Sequence, residues 1–117
     1  MARIEVHFLG NLVKIEVDKA VCRLAYPPEG RKYGDLLEVN VRGNGMEHVV
    51  GWFDNNERGQ KEAARFRVLW QDIINGRYDN IRTVIQVNGR YVILYKGGTR
   101  QEVRDVHETQ RNLEAER

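Results

Sequence analysis

Serine is missing altogether from the 117 residues, and threonine occurs only at Thr83, Thr99 and Thr109. A hydrolase triad built on serine is therefore excluded. Cysteine occurs once, as Cys22, which rules out an intrachain disulfide and a thiolate metal cluster. Cys22 falls at an apolar position of an alternating run, so it is expected to be a small core residue rather than a nucleophile. The three histidines, His7, His48 and His107, are far apart, and no i,i+4 pair exists. No metal and no cofactor are expected. No apolar run reaches the length of a membrane span, so no membrane association is expected. The first nine residues alternate and lack a signal-peptide core, and a reducing cytoplasmic setting is the expectation. An excess of one charge is missing too: 19 basic and 17 acidic side chains leave a net +2, too little for a global pull on nucleic acid. No acid–base pair is marked out, so the residues lean against an enzyme and leave the question open.

What remains is an ordinary globular composition, 41% hydrophobic and 31% charged, at the length of one domain covering 1–117 with a frayed tail beyond about 113. Arginine outnumbers lysine, which favours bidentate and stacking contacts where a local basic face exists.

Alternation is clearest at the start. Ile4, Val6 and Phe8 alternate with charged residues, as do Val13, Ile15 and Val17. A two-residue turn at Gly10-Asn11 predicts Phe8 opposite Val13, Ile4 opposite Val17, and Glu5 opposite Glu16. A third strand carries Ala20, Cys22, Leu24 and Tyr26 on one face, and Pro27-Pro28 ends it. An exposed loop over 27–35 follows, then strands around 37–41 and 47–53 joined at Gly43-Asn44-Gly45.

Ala63, Phe66, Leu69, Trp70, Ile73 and Ile74 recur at helical spacing and predict a central amphipathic helix over about 55–75. Asp54 and Glu57 have capping-box spacing, Gly76 is a C-terminal stop, and Gly59 weakens the first turn by up to about 1 kcal/mol. Asn88-Gly89 then predicts a hairpin of 81–87 with 90–96, pairing Gln86 with Tyr91, Val84 with Ile93 and Arg82 with Tyr95. Thr99 and Glu102 predict a helix start, with Val103, Val106 and Leu113 as its apolar seam. The expected fold is α+β: a curved antiparallel sheet of about seven strands packed on the central helix. The order is five strands, helix, two strands, helix.

Three surfaces are candidates. Two glycines before a helix start, flanked by Lys96 and Arg100, would attract an anion. Arg82, Arg90, Tyr91 and Tyr95 combine guanidinium and aromatic groups on one strand pair, a combination that stacks unpaired bases. Tyr33 in the Pro-Pro loop, together with the seam of Val103, Val106 and Leu113, would serve a protein partner. The leading expectation is a non-enzymatic interaction protein, binding another protein or a second copy of itself. Its size suits an accessory or inhibitor protein of bacterial or phage type. A single-stranded nucleic-acid-binding module is the alternative, and a small-ligand or enzymatic domain the third.

Overall fold

A computed structural model describes residues 2–8, 11–25, 30, 32–87 and 90–116, with side chains described for all of these except 2, 6–8, 11–13, 87 and 116. Tyr26, Pro27-Pro28, Gly10 of the first turn and the Asn88-Gly89 turn lie outside them. The described chain is α+β, with the order β1 (Ala2–Phe8), β2 (Asn11–Val17), β3 (Lys19–Leu24), β4 (Leu36–Gly43), β5 (Met46–Asp54), α1 (Glu57–Ile74), β6 (Ile81–Val87), β7 (Arg90–Tyr95), β8 (Arg100–Val103) and α2 (Val106–Glu116). The strands form three antiparallel sheets, β1-β2, β3-β4-β5 and β6-β7-β8, rather than one curved sheet of seven.

A side-chain hydrogen bond lies at the break between the second and third sheets. β5 lies against β6, but the backbone N–H of Trp52 donates to the Gln86 side chain at 3.0 Å instead of to a strand carbonyl. An amide side chain thus takes the place of a ladder bond. The three sheets still enclose α1, whose buried stripe is Ala63, Phe66, Leu69, Trp70, Ile73 and Ile74, as the spacing predicts. Phe66 sits between Phe53 of β5 and Tyr91 of β7, with ring centroids 5.6 and 5.5 Å away.

The first hairpin differs from expectation by two positions. Ile4 pairs with Ile15, Arg3 with Glu16 and Glu5 with Lys14. A two-residue shift keeps every side chain on its face but replaces the like-charge Glu5–Glu16 pair by two opposite-charge pairs. Arg3 and Glu16 meet at 3.5 Å. The β4–β5 turn is a two-residue loop, Asn44-Gly45, with φ of 54° and 76°. That is the left-handed pair a type I′ hairpin needs. The β6–β7 register is as predicted from Val87 to Thr83, but a bulge then sets Ile81, not Arg82, against Tyr95.

Helix starts were the least legible boundaries. α1 is capped by Asn56, whose side chain accepts from the Gly59 N–H at 2.8 Å, while Asp54 closes β5. Asn55 donates to the Asp35 and Gly34 carbonyls, which holds the strand-to-helix junction extended past Asp54. Residues 99–102 start no helix. Gly97-Gly98 turns the chain back so that β8 extends β7, and α2 is capped by Asp105, which accepts from the Glu108 N–H at 2.8 Å. Asp105 and Glu108 repeat the spacing of Thr99 and Glu102, so two equal signals competed. The one next to the hairpin lost.

Gly59 has a reason beyond propensity. A Cβ there would stand 1.8 Å from the Asp54 carbonyl oxygen. Alanine at this position normally gains about 1 kcal/mol in a helix. Gly59→Ala is instead expected to destabilise by about 1–3 kcal/mol, the cost of forced overpacking. Urea denaturation measures it, and a stabilised variant would contradict the packing.

Candidate functional site

The β3-β4-β5 sheet shows two unlike faces. Ala20, Val39, Val41 and Phe53 point to α1 and are buried. On the opposite face Lys19, Arg23, Arg42 and Trp52 are exposed, with Val21 and Val49 half-buried beside the central strand. Register sets Arg23, Glu38 and Trp52 in one row across the sheet, Val21, Asn40 and Val49 in the next, and Lys19, Arg42 and Glu47 in the third. Trp52 retains 47% of its surface, whereas the chain's other tryptophan, Trp70, is fully buried.

The acidic groups of this face are already engaged. Glu38 is only 5% exposed and accepts from Arg23 Nε at 2.8 Å and from the Asn40 amide at 2.9 Å. Glu47 accepts from the same amide and lies 3.2 Å from Arg23 Nε. A carboxylate this deep is stable only with such partners. Lys19 and Arg42 by contrast have no ion pair among the described residues. Three cations, Lys19, Arg23 and Arg42, against two carboxylates, Glu38 and Glu47, leave this face with one positive charge.

β3 is also a sheet edge among the described residues, where β4 is its one strand neighbour. The Ala20 N–H points outward and is taken by the Gln71 side chain at 3.0 Å. Alternation sends the N–H groups of Cys22 and Leu24 to the same edge. Cys22 is exposed, contrary to the expected core position, because α1 covers β3 at its Ala20 end. Partial burial nevertheless pushes its thiol pKa up, so thiolate character is not favoured.

Among the described residues the exposed large hydrophobic side chains are Leu24, Tyr33, Met46, Trp52 and Val68. All but Val68 belong to this sheet or to the loop entering β4. Alternation puts Leu24 (in register with Leu37 and Phe53) and Met46 (in register with Gly43) on the side opposite Trp52, so of these strand residues Trp52 alone lies on the outer face.

The candidates from sequence are dispersed. Tyr91 is buried with its hydroxyl 2.7 Å from Glu62, and Tyr95 is buried with its hydroxyl 2.8 Å from Gln101. Burial, then the Glu62 hydrogen bond, drives the Tyr91 pKa far up. Neither ring is open on a strand face with the arginines. Arg82 pairs with Glu5, and Glu102 lies between Arg100 and Arg90, 3.0 Å from the first and 3.9 Å from the second. Lys96 is exposed beside a hairpin turn, where no helix start faces it. Tyr33 is exposed, but Val103, Val106 and Leu113 are buried in the chain's own core. The signal for the outer face, on which Trp52 is exposed while Glu38 and Asn40 are buried, is the alternation Glu38-Val39-Asn40-Val41 and Trp52-Phe53, polar or aromatic one way and apolar the other.

Among the described residues no three His, Cys, Asp or Glu side chains gather as a metal site, and no helix is long and apolar enough to cross a membrane. No family model, curated protein or solved structure matches this chain.

Proposed function

We propose that the chain is a non-enzymatic protein-binding module whose working surface is the outer face and free edge of β3-β4-β5. Its partner is an extended acidic segment of another protein, added alongside β3. The observation that carries this reading is Trp52, half exposed on an ordered sheet face beside the Arg23–Glu38–Asn40–Glu47 network. Trp and Arg are the side chains that dominate interface energetics, and a prearranged network lowers the ordering cost of binding. The edge N–H groups of Cys22 and Leu24 supply main-chain pairing, the usual source of affinity in strand addition. Lys19 and Arg42 supply the preference for acid. β3 is short and carries two charged residues, which also guards the edge against indiscriminate pairing.

A short peptide alternating valine with glutamate tests the reading. Titration is expected to shift the Trp52 indole resonance and the Cys22 and Leu24 amides saturably, and to weaken as salt is raised. Shifts confined to α2, or none at millimolar peptide, would overturn it. Uniform response to single-stranded oligonucleotide instead of peptide would favour the nucleic-acid alternative.

A further inference from the structure

We propose a second, separate site: the cavity bounded by the β1-β2 hairpin, the C-terminal end of α1 and β6 binds small monocarboxylates with an apolar body. The cavity measures about 390 Å³, within the range of small-molecule sites. Its walls include Ile4, Ile73, Ile74 and Ile81, each at the edge of the core and nearly buried. Four isoleucines in one opening suit an aliphatic or aromatic body.

The mouth decides the head group. Arg82 and Glu5 neutralise each other, and Arg3 is turned to Glu16. Lys14 and Lys96 line the same cavity and have no ion pair among the described residues. They outnumber the single carboxylate left there without an ion pair, Asp79. An anion is therefore favoured over a cation at the rim. The end of α1 facing the cavity is its C-terminus, with Ile73, Ile74 and Gly76 in the lining. The carbonyl end of a helix repels negative charge, so a singly charged head held by lysines at the rim is favoured over a phosphate held deeper.

Octanoate is the probe, with octanamide as its neutral counterpart and acetate as the head group alone. Titration calorimetry is expected to give saturable octanoate binding, weaker octanamide binding and no acetate binding. The double variant Lys14→Gln/Lys96→Gln should weaken octanoate about fivefold, the combined effect of two exposed cations. Both lysines are exposed, and an unchanged thermal midpoint verifies that the variant folds. Absence of octanoate binding, equal affinity for octanamide, or an unaltered double variant would overturn the site. The peptide face does not depend on this outcome, because it shares none of these residues.

Discussion

A chain ended after Gly98 is expected not to fold. The deletion removes β8 and α2, and with them Val103, Val106 and Leu113, which are 6%, 0% and 1% exposed. Fully burying one such side chain is worth about 1.5–3 kcal/mol, so the three together supply roughly 5–9 kcal/mol. A whole domain of this size is stable by about 5–15 kcal/mol. The loss does not stop at those three. β7 loses the strand that pairs from Tyr91 to Leu94, and Tyr95 loses Gln101. At the far end of α2, Glu114 accepts from the Tyr78 hydroxyl at 3.0 Å and from Arg77 at 2.7 Å, tying the helix to the loop after α1. Circular dichroism of the shortened chain is expected to show no cooperative thermal transition. A cooperative transition would mean that the tail is an appendage, and would return its seam to candidacy as a partner-binding surface.

Phe66→Ala is expected to cost about 3–5 kcal/mol, the usual range for emptying an aromatic site in a core. Phe66 has no exposed surface and its ring is the one α1 places between the second and third sheets. Phe53 is tilted 58° against it and Tyr91 meets it edge-on at 65°. Each such aromatic pair adds about 0.5–1.5 kcal/mol beyond its buried area. Neighbours are poorly placed to collapse into the space, because Phe53 and Tyr91 belong to different sheets held by their own ladders. The urea midpoint should fall with the slope unchanged. A cost under about 1.5 kcal/mol would mean that the sheets are not joined through this ring.

Much of this arrangement was legible in the residues. The inner stripe of α1 was readable because six apolar side chains at helical spacing leave one solution. The β6–β7 pairing was readable because Asn-Gly leaves one hairpin register. What misled was any signal with an equal rival nearby. Asp54 and Asn56 both make good N-caps, and only the hydrogen bonds of Asn55 to the loop before β4 decide between them. Thr99-Glu102 and Asp105-Glu108 both have capping-box spacing, and the turn at Gly97-Gly98 assigns the first to a strand. The separation of the second sheet from the third is not legible, since there the Gln86 side chain meets Trp52 across 34 residues.

The candidate site divides along the same line. Tyr91 and Tyr95 have the chemistry of a stacking site, yet their strand is covered on both sides, as its two apolar faces imply. Trp52 lies in a strand with no turn or motif to mark it. The sign of the net charge on its face is not available from composition, because it depends on which charged side chains the strand register brings to that face.

A charge exchange tests the proposed surface most directly. Lys19→Glu/Arg42→Glu reverses the two exposed cations of this face that have no ion pair among the described residues. The unaltered chain should prefer the valine–glutamate peptide over its valine–lysine counterpart, and the double variant should prefer the lysine peptide, with Trp52 reporting both titrations. Identical preference in the two proteins, or binding that leaves Trp52 unmoved, would contradict a partner laid along β3.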